Sequence, residues 1–160
     1  MKSNKVKAYD TEVTPVGLVE EAPTAYYTGS RTIPLNLLTS VQKMDISKQG
    51  ISKRYLESFK KEASLDYPTL ADALSVTRAT LINKKGNQKF NEQVSERIVS
   101  LADLYAFGYE VFESRELFNE WMSAPNHALG GIAPIHIMNS YYGREEVRNI
   151  IGRIAYGVYS

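Results

Sequence analysis

The sequence predicts an all-α protein, a helix-turn-helix bundle followed by a small C-terminal helical domain. Three observations carry that expectation. From Ile33 onward, apolar residues recur at three- and four-residue spacing almost without a break. No stretch alternates at period two for long enough to demand a strand. Residues suited to capping helices, Asp66, Thr77 and Ser114, stand directly before such apolar runs.

Residues 1–33 mix charges with "TPVG" and "EEAPTAYYTGS" and show no sustained period, so a flexible N-terminal arm is expected there. Tyr26 and Tyr27 could dock on the bundle, although termini seldom do. A weak helix is expected through "PLNLLTSVQKM", with Pro34 where a helix start tolerates it. The next covers about 51–63, where Ile51, Tyr55 and Phe59 recur every four residues and the lysines are expected to stay outside. Asp66 then caps "YPTLADALS" with Pro68 in the first turn, and Thr77 opens "TRATLINKK". The longest helix spans about 91–112 on a stripe of Val94, Ile98, Leu101, Leu104, Tyr105, Phe107 and Val111. Ser114 caps "RELFNEWM", in which Trp121 reads as core, and two short helices follow the "LGG" loop.

The chain has 160 residues, 43% of them hydrophobic, which is enough for one moderate domain or two small ones. It has no cysteine, so disulfides and thiolate metal sites are excluded. The opening residues lack the apolar run of a signal peptide and no membrane-length apolar stretch appears, so a cytoplasmic protein that does not engage membranes is expected. Net charge is only +1, but it is unevenly spread. Five cations against one acid lie between Ser47 and Lys61, and four against none between Arg78 and Asn91, whereas 103–120 carries five acids against Arg115 alone. Solvated helix faces explain such a pattern; so does a footprint for an anionic partner.

The segment "YPTLADALSVTRATLINKK" has the spacing of a helix-turn-helix. Leu70, Ala71 and Leu74 face inward on its first helix, Val76 plugs the turn, and Leu81 with Ile82 packs the second helix back. That leaves Thr77, Arg78, Thr80, Asn83, Lys84 and Lys85 available to base edges and phosphates of operator DNA. The segment resembles the Xre/Cro-like repressor family, with Ser75 where that family often has glycine. Serine reaches the left-handed backbone at a cost of about 1 kcal/mol. Symmetric operators favour pairs of readers, so a homodimer is expected.

A second resemblance covers the C-terminal residues. "FNEWMSAPNHALGGIAPIHIMNSYYGREEVRNIIGRIAYG" is similar to the toxin-binding domain of the Xre/MbcA/ParS antitoxin family, on Trp121, Pro125, Asn126, Leu129, Gly130, Gly131, Pro134, Gly143, Val147, Arg153, Ile154 and Gly157. Physically, Gly130 and Gly131 permit positive φ so that the chain can reverse. Asn126 can bond its own turn, Leu129 can anchor the loop, and Gly157 can cap the last helix. The resemblance implies residues 34–112 as the DNA-binding and dimerisation region and 113–160 as the toxin-binding domain. It also implies a cognate toxin of the RES class, which degrades NAD or transfers ADP-ribose from it. The toxin contacts are expected on Asn126, Leu129, Gly130, Gly131, Arg153, Tyr156, Gly157, Val158, Tyr159 and Ser160, with the tail obstructing the toxin's active site. Any NAD would then be the toxin's substrate, and no cofactor of this chain is expected.

Catalytic parts are not evident. His127 and His136 stand apart, with no HExxH, Walker loop, GxGxxG or nucleophile elbow. The expected function is therefore that of a non-enzymatic antitoxin that also represses its own operator. The alternative is a helix-turn-helix regulator or adaptor with a non-toxin protein partner.

Overall fold

A computed structural model of the chain describes residues 17–19, 22–27 and 32–157. Seven α-helices dominate the described residues: α1 (Ser40–Gln49), α2 (Lys53–Glu62), α3 (Tyr67–Ala73), α4 (Arg78–Ile82), α5 (Glu92–Phe112), α6 (Arg115–Ser123) and α7 (Tyr141–Ala155). The chain is not strictly all-α, however. Three strands, β1 (Gly17–Val19), β2 (Ala22–Tyr27) and β3 (Thr32–Pro34), form an antiparallel sheet in sequential order.

This sheet corrects the expectation of a strand-free chain and of a flexible arm over 1–33, of which the remaining residues lie outside those described. The strands are short, and the pairing is fixed from outside them. Pro23 and Thr24 are buried. The Tyr55 hydroxyl of α2 donates to the Pro23 carbonyl, and the Thr24 hydroxyl donates to Glu62 Oε1 at 2.9 Å. Tyr26 docks against the core, while the side chain of Tyr27 lies outside the described residues. Such anchoring depends on residues some 30 positions away in sequence, so local periodicity carries no trace of it.

Each helix start has a local cause. Residues 35–37 make a single 3-10 turn after Pro34, and α1 begins only after Thr39, whose side chain and that of Gln42 satisfy each other's amides reciprocally. Side chains of Ser52, Asp66, Thr77, Asn91, Ser114 and Ser140 accept from the first-turn amides of α2 to α7 respectively. Of the two helices after the glycine loop, the first is a 3-10 turn over Pro134–Ile137 and the second, α7, is 15 residues long.

One buried cluster runs from Leu56 and Phe59 through Leu70, Leu81, Ile98 and Tyr105 to Phe118, Met138, Val147 and Ile151. The helix-turn-helix segment and the C-terminal helices therefore share a core. Its aromatic centre is a run of edge contacts from Phe59 to Tyr105 and from Tyr105 to Phe118. Phe118 lies so close to Gly108 that a Cβ there would sit 2.1 Å from its ring. Trp121 is half-buried and stacks on Phe118, while its neighbour Met122 is the fully buried residue. An ionic tie also crosses the structure: Asp103 of α5 takes Lys43 of α1 at 2.8 Å and Arg148 of α7.

Candidate functional site

Two surfaces collect the side chains that the sequence selects. The first surrounds the turn between α3 and α4. Leu70, Ala71, Leu74 and Leu81 are buried there, but Ile82 is 48% exposed and does not pack back on α3, which corrects that part of the sequence reading. Ser75 takes the left-handed conformation at φ 53°. The turn is held from both sides: Arg97 of α5 donates to the carbonyls of Leu74 and Ser75 at 3.3 and 3.0 Å, and the Ser75 hydroxyl donates to the Asn139 carbonyl at 2.9 Å.

On α4, Arg78 is exposed at the start and Asn83 is exposed at the end, where its amide closes the last turn on Ala79. The Thr77 and Thr80 hydroxyls lie 2.9 Å apart, and Thr77 accepts the Thr80 amide, so this pair first secures the helix start. Lys84 is half-buried and Lys85 exposed, in a loop whose backbone bonds Lys53 and Arg54 through the carbonyls of Gln88 and Gly86. Asp66 stands near Arg78 and offsets part of its charge. Its carboxyl is held below the usual range, first by hydrogen bonds from the Thr69 hydroxyl and amide and further by the charges of Lys60 and Arg78.

The cations of the basic middle are not all free to meet an anion. Lys53 is buried, against the expectation that the lysines of α2 stay outside. Its Nζ donates to the Tyr67 hydroxyl at 2.7 Å and to the Leu81 carbonyl, and pairs with Glu57 at 3.1 Å. The charge is tolerated inside because all three of its donors are used. Lys53 thus fastens the end of α4 to α2. Lys89 donates to the Gln49 carbonyl at 3.0 Å.

The second surface is the C-terminal loop and helix. Asn126 accepts the Ala128 amide on its side chain at 2.9 Å and the Gly131 amide on its carbonyl at 2.8 Å, and it bridges to Ile132. Gly130 and Gly131 both have positive φ, 66° and 89°, so the reversal after Leu129 requires them. Leu129 packs its half-buried side chain on the core. At the far end of α7, roughly 22 Å along the axis from its cap, Arg153 pairs with Glu146 at 3.3 Å. Tyr156 is 87% exposed and Gly157 is left-handed at φ 68°. Val158, Tyr159 and Ser160 lie outside the described residues.

Several exposed apolar residues beside this surface escape sequence reasoning: Leu117, Ile132, Tyr141 and Tyr142. Leu117 sits in an amphipathic helix whose apolar positions all look alike in sequence, and only the packed neighbours show that Phe118 and Met122 face inward. Among the described residues no group of three His, Asp or Glu is placed to hold a metal, and no helix is long and apolar enough to cross a membrane.

Comparison with known proteins bears on both surfaces. Residues 108–157 match the family model of the antitoxin Xre/MbcA/ParS C-terminal toxin-binding domain, which takes in the end of α5, α6, the glycine loop and α7. A Prs ADP-ribosylating antitoxin of Sphingobium sp. (strain YBL2) is 28% identical over 131 residues, 75% of this chain and 82% of the relative. An antitoxin Xre of Yersinia enterocolitica is 26% identical over 119 residues, 73% of this chain and 80% of the relative. A second antitoxin Xre, from Photorhabdus laumondii, is 29% identical over 76 residues, 47% of this chain and 51% of the relative. The C-terminal part of the chain is thus similar to the toxin-binding domain of Xre/MbcA/ParS antitoxins, and most of its length is similar to proteins named as antitoxins.

Proposed function

We propose that this chain is an antitoxin that neutralises a RES-class toxin, which consumes NAD or transfers ADP-ribose from it, by obstructing the toxin's active site with its C-terminal region. We further propose that it represses its own operator as a homodimer through α4. The observation that carries the first part is the match of residues 108–157 to a toxin-binding domain. That match coincides with a surface whose loop residues, Asn126 to Gly131, are conformationally fixed and whose last helix ends in an exposed tyrosine, Tyr156. A loop held by its own hydrogen bonds loses little freedom when a partner closes on it. The name of the Sphingobium relative supports ADP-ribose transfer as the chemistry to be restrained.

The second part is supported by the α3–α4 geometry. Arg78, Asn83 and Lys85 are exposed around a short capped helix; Arg97 holds the turn before that helix and Lys53 holds its end. Phosphate contacts supply most of the affinity of such a reader, and the exposed cations fit that role. The test is co-expression of the chain with a RES-domain toxin. Growth and the cellular NAD pool are expected to recover with the full chain. Continued arrest with the chain present at equal or higher level would contradict the proposal.

A further inference from the structure

The outward face of α7 carries a glycine that the fold itself does not use. Glycine weakens a helix interior, because it loses more backbone freedom on folding than any other residue and adds no side-chain contact. Where it stands inside a helix at that cost, a close approach to the missing Cβ is one thing that compensates. Gly108 and Gly143 have such reasons within the chain: a Cβ at Gly108 would meet the Phe118 ring at 2.1 Å, and one at Gly143 the Ile137 carbonyl oxygen at 1.8 Å. Gly17, Gly50, Gly86, Gly130, Gly131 and Gly157 have positive φ. Gly152 alone among the described glycines has neither, since its φ is ordinary and a Cβ built on it meets nothing within 4 Å.

Helical geometry places Gly152 on a line with Glu145, Asn149 and Tyr156, opposite the buried Val147, Ile150 and Ile151. Glu145 and Asn149 are exposed, and Tyr156, one turn beyond Gly152, is the most exposed of the large apolar side chains described. The ridge therefore has a shallow dip at Gly152 with an amide on one side and an aromatic ring on the other. It lies wholly within the segment that matches the toxin-binding domain.

We propose that the cognate toxin lays a segment of its backbone into this dip, crossing α7 over Gly152 between Asn149 and Tyr156. Close approach of backbone is what an absent Cβ permits. A neighbouring amide side chain can bond an edge of that backbone, and an exposed tyrosine supplies the large rigid contact on which interfaces concentrate their energy. The inference rests on the reading that the chain binds a toxin, and it adds where and how closely that partner packs.

The test uses the full chain, a purified RES-domain toxin, and the variants Gly152→Ala and Gly152→Leu. Both variants are expected to raise the folded-to-unfolded ratio, by about two- to fivefold for alanine, because the site is open and both residues are better helix formers. Titration calorimetry is expected to show that Gly152→Leu weakens toxin binding by roughly tenfold or more, as the filled dip lifts the partner away. Gly152→Ala is expected to have a smaller effect of the same sign. Equal affinity of the leucine variant and the parent would overturn the proposal. So would a fall in thermal midpoint for the leucine variant, since the ridge would then be covered by the chain itself. Altered self-association in sedimentation with toxin affinity unchanged would give the ridge to a second copy instead, against the proposal. Failure of the parent chain to bind the toxin at all would remove the underlying antitoxin reading, and that result is distinct from a variant-specific null.

Discussion

The Ser75 hydroxyl donates to the Asn139 carbonyl at 2.9 Å, which ties the left-handed turn between α3 and α4 to the residues that lead into α7. The turn of the helix-turn-helix segment and the residues that match the toxin-binding domain meet at this bond. Its two contributions oppose each other. The backbone at φ 53° is costly for a residue with a Cβ, whereas the hydrogen bond favours serine.

Substitution at Ser75 separates them. Ser75→Ala keeps the strained backbone and loses the bond, so a destabilisation of about 1 kcal/mol is expected in urea unfolding. Ser75→Gly loses the same bond but relieves roughly 1 kcal/mol of left-handed strain, so near-parental stability is expected. Equal destabilisation by both would show that the turn is not strained.

Lys53 gives a pH-dependent outcome. Burial alone would raise the Glu57 carboxyl, but hydrogen bonds from Tyr67 and Lys53 and the Lys53 and Lys60 charges outweigh it and leave the group below the usual range. A carboxylate depressed in the folded state contributes stability above its unfolded pKa, and that contribution is lost as pH falls through the folded value. Unfolding free energy is therefore expected to decline between about pH 6 and pH 3 with a component absent from Lys53→Met. The same variant is expected to lose about 1–3 kcal/mol near neutrality, because the Leu81 carbonyl loses its partner and the Tyr67 hydroxyl keeps only Glu57. An identical pH slope in parent and variant would contradict this pairing.

Arg78 and Lys84 flank the exposed face of α4. Replacing both by alanine is expected to weaken binding to the upstream operator while toxin neutralisation persists. If both meet phosphate, the slope of log affinity against log salt should shrink by about 0.9 for each lost contact. An unchanged affinity and slope in a gel-shift series would make α3 and α4 bundle elements only.

How much of this was legible in the sequence follows from how local each cause is. The caps Asp66, Thr77 and Ser114 act within three residues, and the structure has all three accepting first-turn amides. The positive φ at Gly130, Gly131 and Gly157 was readable because few other residues take that backbone. The left-handed Ser75 was readable through the resemblance to Xre/Cro-like repressors, which often have glycine at that position. The sheet was not, since Thr24 and Pro23 are fixed by Glu62 and Tyr55 from α2. The burial of Lys53 was equally hidden, because its partners Tyr67 and Leu81 arrive from later helices. Exposure of Ile82, Tyr141 and Tyr142 likewise depends on what does not pack over them, which no pattern along the chain records.

The most direct measurement is NAD consumption by a purified RES-domain toxin, titrated with the full chain and with a chain lacking Val158 to Ser160. The full chain is expected to abolish consumption at a fixed stoichiometric ratio. The shortened chain, which retains α7 and every core residue described, is expected to keep its melting temperature and to remain bound while NAD consumption returns. If the full chain leaves consumption unchanged at saturating concentration, the antitoxin function proposed here is contradicted. If the shortened chain inhibits as well as the full one, obstruction by the tail is contradicted, and the blocking contact must lie on the glycine loop or α7.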